Sequence, residues 1–299
     1  MANGRILVSG ASGPIGAALL PSLRQHGYAV MRLVRGMTKS QDQIGWDPLK
    51  PVAPEIVSGF EVVIHLAGES IVGRWTEEKK KAIRDSRVVG TRHLAEALAQ
   101  AAQPPRVFLS GSAIGYYGDR GDEILNEDSL SGQGFLAEVS REWEAATQPA
   151  AAAGIRTVHL RTGVVLSAVG GALPKMLPPF KLGVGGIVGS GRQWWSWIDV
   201  QDEVGAMHHI LKTESLTGPV NLVAPHAVTN AEFTKTLAAI LRRPAFVPVP
   251  AFAARLAFGQ MADELLLASQ HVEPTKLLQS EYSFQSTDLV NALSRVLGR

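Results

Sequence analysis

Two stretches of this chain have residue types and spacings that can do chemistry. The first is Ser9-Gly10-Ala11-Ser12-Gly13-Pro14-Ile15-Gly16, where glycines recur at intervals of three between an apolar run and an amphipathic one. Backbone N–H groups at a helix N-terminus attract a pyrophosphate, and glycines let the phosphate and a neighbouring strand approach closely. Pro14 suits the first helical turn, where its missing N–H would be unpaired anyway. Gly10, Ser12, Gly13, Pro14, Ile15 and Gly16 are therefore the expected contacts of a dinucleotide; a glycine-rich turn without a ligand is the alternative. The second stretch is Arg32-Leu33-Val34-Arg35, about 20 residues beyond the glycines, where a carboxylate would accept a hydrogen bond from an adenosine ribose. No acid stands between the glycine turn and Asp42. Guanidinium groups suit a 2′-phosphate, so Arg32 and Arg35 point to NADP(H) over NAD(H), unless they are solvated charges at a strand end.

These residues need a frame that holds turn and strand end together. Arg5–Ser9 reads as a strand, Ile15–His26 as a helix containing Pro21, and Ala29–Val34 as the next strand. This β-turn-α-β order is the unit of a parallel sheet. Phe60–Leu66 is an apolar run of strand length, as a strand buried on both faces should be. Val88, Thr91, Ala95, Leu98 and Ala102 continue a long helix from Thr76, with a break expected at Gly90. Strand, helix and strand then follow at 106–110, 135–153 and 155–166. The alternation predicts an α/β Rossmann domain, a doubly wound parallel sheet. Residues 168–197, rich in glycine, proline and tryptophan, read as a shaped loop region. Helix returns at 199–212 and strand at 218–223, and Thr229 with Glu232 has capping-box spacing. The domain expectation is a nucleotide-binding unit over residues 1–224, with 171–197 on the substrate side, and a smaller, mostly helical unit over 225–299.

Composition removes several function classes. The chain has 299 residues, with 29 Lys and Arg against 27 Asp and Glu, too balanced for a nucleic-acid binder. It has no cysteine, which excludes thiol nucleophiles, thiolate metal sites and disulfide scaffolds. His208 and His209 are adjacent and leave a helix on different faces, so they lack metal-ligand spacing. No apolar run reaches the roughly 18 residues of a membrane span, and a strand from Arg5 leaves no room for a signal peptide. The expectation is a cytoplasmic protein with a small-molecule substrate and neither a nucleic-acid nor a membrane partner; oligomeric state is not legible. Trp194, Trp195 and Trp197 beside Arg192 read equally as a pocket wall or as core.

Further motifs narrow the field: His65-Leu-Ala-Gly68-Glu69, Ile83-Arg-Asp-Ser-Arg87 through Gly90-Thr91, and Gly115-Tyr-Tyr-Gly118. So do Trp143-Glu144, Arg161-Thr-Gly-Val-Val-Leu166, Gly189-Ser-Gly-Arg-Gln193 and Asn230-Ala-Glu-Phe233. Over essentially its whole length the chain resembles the atypical extended short-chain dehydrogenase/reductases, the NAD(P)-dependent sugar-nucleotide epimerase family with a C-terminal domain of unknown function. That resemblance implies backbone contacts from Leu66, Ala67 and Gly68 to the cofactor, Arg87 facing it, and Val165 at the nicotinamide end. An ion pair of Arg87 with Asp85, and a core position for Val165, are the alternatives. The superfamily's Tyr-x-x-x-Lys pair is absent, because the corresponding helix reads Phe135-Leu-Ala-Glu-Val-Ser-Arg-Glu-Trp-Glu144. Ser112 stands where the superfamily places a substrate-orienting hydroxyl, and Tyr116 and Tyr117 follow within reach as candidate proton donors or as packing. The reading is an NADP(H)-dependent oxidoreductase or epimerase-like protein acting on a small substrate, nucleotide-linked ones included. A catalytically silent NADP(H)-binding sensor is the alternative.

Overall fold

The computed structural model describes residues 3–299. Seven strands form one parallel sheet: β1 (Asn3–Ser9), β2 (Tyr28–Arg35), β3 (Gln43–Trp46), β4 (Val62–His65), β5 (Val107–Ala113), β6 (Arg156–Thr162) and β7 (Gly218–Leu222), in the order β7-β6-β5-β4-β1-β2-β3. Strand side chains alternate between two buried faces, as a sheet covered on both sides requires. Ile6, Val8, Ile64 and Leu109 join one core with Leu19 and Leu23 of α1 (Pro14–Gln25). Leu7, Val63 and Phe108 join the other with Leu94 and Leu98 of α2 (Glu77–Gln100). The doubly wound architecture expected from the alternation is thus observed.

Several boundaries differ from the sequence reading, each for a local reason. Strand β3 was not expected; it is a four-residue edge strand pairing with β2 through Arg32↔Gln43 to Arg35↔Trp46. The long helix α2 runs unbroken through Gly90, where a Cβ would lie 3.1 Å from Pro48, so this glycine serves close packing and not a break. The helix expected over 135–153 is two, α3 (Phe135–Ala145) and a short one at Gln148–Ala152 that starts with a proline in its first turn. The strand expected over 155–166 also divides. At Gly163 a Cβ would lie 2.7 Å from the Ser196 carbonyl oxygen, and Val164–Leu166 leaves the sheet to pair with Trp197–Asp199.

Within 168–197 a helix appears, α4 (Leu173–Lys181), burying Leu173, Leu177 and Phe180 although it contains three prolines. With α6 (Asn230–Leu241) and α8 (Leu289–Leu297) it encloses a second core that includes Trp195, Trp197, Phe233, Leu237 and Leu293. Two of the tryptophans left open above are therefore core. The third, Trp194, stacks on His271 at 4.1 Å. Thr229 and Glu232 form the expected capping box on α6.

Polar contacts tie the C-terminal residues to the sheet domain through α5 (Val200–Lys212). Arg295 reaches the buried Asp199 at 2.7 Å. The carboxylate of Asp202, also buried, accepts from the Gln285 and Ser286 N–H groups at 2.7 and 2.8 Å and from the Tyr282 hydroxyl at 3.1 Å. The Glu264 carboxylate accepts from Phe135 N–H at 3.0 Å and Leu136 N–H at 2.7 Å, meeting the otherwise unpaired first turn of α3.

Candidate dinucleotide site at the glycine turn

The three glycines of the turn are required for different reasons. Gly10 has φ +72°, and a Cβ there would fall 2.4 Å from the Leu66 carbonyl carbon, so it permits the β1 and β4 turns to touch. A Cβ on Gly16 would fall 2.5 Å from the Gly10 oxygen, so it seats α1 against the turn. Gly13 is not needed by the protein in this way. Its backbone is extended (φ −73°, ψ 168°), and the sole atom within 4 Å of a Cβ would be the Gly10 oxygen at 3.4 Å. Space kept clear at a helix N-terminus, where no side chain caps the first-turn N–H groups and no acid lies in that turn, fits a phosphate cradle. Ser12 is exposed beside it, Ile15 is half-buried, and Pro14 occupies the first turn as expected, with the Gly170–Gly171 backbone alongside.

The two arginines at the end of β2 are separated by the structure. Arg32 is held: its Nη2 donates to Asp42 Oδ1 at 2.7 Å and to Ser40 Oγ at 3.1 Å. Hydrogen bonding from Arg32 and then Ser40 lowers the Asp42 pKa to about 2, and Arg24 shares the same carboxyl at 2.7 Å. Arg35 is exposed and makes no hydrogen bond or ion pair among the described residues. Its charge is nonetheless among those that hold the Glu69 pKa down, after the Lys79 hydrogen bond.

At the end of β4, Leu66 donates its N–H to the Ser9 oxygen at 3.2 Å, and Ala67 packs beneath in the second face's core. The Arg87 guanidinium lies under Gly68, where a Cβ would sit 3.1 Å from its central carbon. Its Nη1 donates to the Glu69 and Ile83 carbonyls at 2.9 and 3.2 Å, and burial lowers its pKa to about 10. Asp85, the acid considered for it, pairs instead with Lys81. Arg87 is therefore a half-buried cation held by carbonyls, without a carboxylate in ion-pair contact among the described residues. Val165 is half-buried against the first core and pairs with Ile198.

The candidate hydroxyls belong to a buried polar chain. Ser112 donates to Glu144 Oε1 at 2.7 Å, and Arg161 grips the same carboxylate through Nε at 2.8 Å and Nη2 at 2.9 Å. Arg161 Nη1 donates to the Tyr117 oxygen at 3.0 Å, and Tyr117 donates to Asn221 Oδ1 at 2.7 Å. Burial pushes the Tyr117 pKa up to about 12. Ser112 and Tyr117 are thus committed to protein partners and closed to solvent. Tyr116 differs: it is half-buried beneath the Arg161 guanidinium at 3.5 Å, and its hydroxyl has no partner among the described residues.

Sequence reasoning left three buried polar groups without a role. His65 accepts or donates through Nδ1 with Ser9 Oγ at 2.6 Å, while burial lowers its pKa to about 4, so it is neutral and pins β1 to β4 below the turn. Glu144 and Arg161 form the ion pair just described; a lone acid on an apolar helix face and a lone arginine on an apolar strand must find each other if both are buried. Two cavities lie nearby. One of about 290 Å³ opens beyond the carboxyl end of β5, between Gly115, Gly118 and Leu136 on one side and Arg255, Asp263 and Glu264 on the other. A larger one of about 690 Å³, between the first turns of α2 and α3, is lined by none of the glycine-turn residues. No group of side chains fit to hold a metal ion occurs among the described residues.

Comparison with known proteins agrees with this frame. Residues 6–223 match the NAD dependent epimerase/dehydratase family, and residues 249–296 match a domain of unknown function, DUF1731. Epimerase family protein Mb2239 of Mycobacterium bovis is 40% identical over 295 residues, which is 98% of this chain and 97% of that protein. The crystal structure of human epimerase family protein SDR39U1 (isoform2) with NADPH superposes with a TM-score of 0.88 at 34% identity, covering 99% of both chains. The nucleoside-diphosphate sugar epimerase from Corynebacterium glutamicum gives a TM-score of 0.84 at 40% identity, covering 99% of this chain and 59% of that one.

Proposed function

Since this chain belongs to the NAD dependent epimerase/dehydratase family, in the extended short-chain dehydrogenase/reductase branch that ends in the DUF1731 domain, we propose that it is an NADP(H)-dependent oxidoreductase or epimerase-like protein acting on a small substrate, nucleotide-linked ones included. The observation that carries this reading is the clear space at Gly13 before an uncapped helix N-terminus. Support for the phosphorylated cofactor comes from Arg35, exposed and unengaged at the end of β2, and from the human relative described with NADPH. When bound, the dinucleotide supplies hydride transfer at a substrate carbon.

In this reading the first-turn N–H groups of α1 hold the pyrophosphate, Arg35 faces the 2′-phosphate, and Leu66, Ala67 and Gly68 line the path toward Val165. Arg87 presents positive charge from below Gly68. Residues 171–197 and 225–299 form the substrate side, at the carboxyl ends of the strands. Tyr116 is the donor of the substrate's proton, because Ser112 and Tyr117 already give theirs to Glu144 and Asn221. That same commitment favours a second reading, a cofactor-binding protein without turnover.

Calorimetric titration of NADPH and NADH into wild type and Gly13→Ala tests the cradle. The wild type binds NADPH more tightly than NADH, and Gly13→Ala loses at least about tenfold of NADPH affinity, ~1.4 kcal/mol, with its melting temperature unchanged. Undiminished binding by Gly13→Ala overturns the placement. Stereospecific hydride exchange with a carbonyl substrate separates the enzyme from the silent binder.

A further inference from the structure

We propose that the face formed by α7 (Ala251–Phe258) and the strip packed before it docks on an anionic lipid surface. Leu182, Phe246, Phe252 and Leu256 are 78%, 77%, 72% and 78% exposed. Two paired strips and the helix that follows them carry these side chains. Val247 donates its N–H to the Gly185 oxygen at 3.3 Å and Val249 to the Ile187 oxygen at 2.9 Å, so the strip following Phe246 lies along the strip following Leu182 and leads straight into α7. Phe252 and Leu256 stand four residues apart on one side of that helix, whose sole buried residue is Ala254. Four such side chains expose on the order of 500 Å² of apolar surface, at the upper end of what a soluble monomer leaves open.

The charge around this patch is mostly positive. No aspartate or glutamate occurs from Ala145 to Ile198 or from Phe233 to Ala262, whereas Lys181, Arg242 and Arg243 are exposed at the edges of the patch. Arg255, on α7 itself, pairs with Asp263 just beyond it. A second copy presenting the same face would set these cations against their own counterparts. Neither cavity described above is lined by any of the four apolar side chains, so they do not belong to a candidate substrate pocket. A bilayer moulds around protruding phenylalanine and leucine, and its anionic headgroups meet the flanking cations. This proposal departs from the sequence expectation of no membrane partner; among the described residues no helix is long and apolar enough to cross a membrane. Surface docking is a different contact.

The test is flotation of the full chain with phosphatidylcholine vesicles, with and without 30% phosphatidylglycerol. The wild type floats with the anionic vesicles at least about tenfold better than with the neutral ones, and less well at high salt. Phe252→Ser with Leu256→Ser, and separately Lys181→Glu with Arg243→Glu, each lower the floated fraction about fivefold or more while NADPH binding stays at the wild-type value. Absence of flotation, or flotation that survives both double substitutions, overturns the proposal. So does sedimentation showing that the wild type self-associates through this face and that Phe252→Ser with Leu256→Ser is monomeric.

Discussion

Replacing Glu203 by glutamine is expected to stabilise the protein at neutral pH and above, and to do nothing in mild acid. Glu203 sits in the first turn of α5, fully buried, with Oε1 accepting from the Thr162 hydroxyl at 2.9 Å and Oε2 without any partner among the described residues. Burial raises its pKa from 4.5 to about 8. Below the unfolded value both states are protonated and the group is neutral toward stability. Between the two values the unfolded chain releases the proton while the folded chain keeps it, so stability falls by about 1.4 kcal/mol per pH unit. The loss reaches roughly 3 kcal/mol at pH 7 and is complete once pH exceeds the folded pKa. Glutamine has the shape of the protonated acid, keeps the acceptor for Thr162 and cannot ionise. For a chain of this length the gain corresponds to a rise of about 5 °C in melting temperature at pH 7, shrinking to nothing near the unfolded pKa. Calorimetric melting of both proteins from about pH 5 to pH 8 reads it directly. A difference that is the same at both ends would refute the reasoning, because it would mean that the carboxyl does not hold a proton in the fold.

Four further outcomes are expected. Gly10→Ala, unlike Gly13→Ala, lowers the melting temperature, since it combines a positive φ with a contact of 2.4 Å to the Leu66 backbone, a loss of roughly 2 kcal/mol or more. Arg35→Asp weakens NADPH about tenfold or more by fluorescence titration and leaves NADH nearly unchanged; equal loss for both cofactors would contradict a 2′-phosphate contact. Arg161→Ala removes the cation from the largely buried Glu144 carboxylate, which keeps the Ser112 hydroxyl, and destabilises by about 3 kcal/mol in urea; a change below about 1 kcal/mol would show that Ser112 and water suffice. Once a substrate is in hand, Tyr116→Phe lowers turnover more than Ser112→Ala or Tyr117→Phe; all three within about threefold of wild type would remove the hydroxyls from the proton path.

What the sequence discloses about this fold is what depends on neighbours in the chain. The turn at Gly10, Gly13 and Gly16, the apolar strands, and the Thr229 cap with Glu232 all express spacings of two to four residues, and each is found where its spacing places it. What lay hidden depends on partners remote in the chain. Asp42 reads only as the first acid after the glycine turn until the fold brings it to Arg32, and β3 is an edge strand of only four residues. The prolines of Leu173–Lys181 mask a helix that survives because tertiary burial of Leu173, Leu177 and Phe180 outweighs propensity. At the site, Arg32 and Arg35 look alike along the chain, and only the fold tells the engaged one from the open one. Likewise Ser112 and Tyr117 are hydroxyls at a promising strand end whose protons the folded protein has already assigned.

The contacts that Asp199, Asp202 and Phe135 receive from the C-terminal residues bear on how such a chain can be rearranged over time. A seam drawn in the sequence between the sheet domain and the last seventy or so residues is not a seam in the chemistry. Exchanging the tail for an unrelated one would strand two buried carboxylates without Arg295, Tyr282 and the Gln285 and Ser286 amides, and would bare the amide end of α3 once Glu264 had gone. A foreign tail could be accepted only if it arrived with the same cation and the same donors already in register. The two parts are therefore constrained to be inherited together, and the tail can vary by substitution within it and not by replacement.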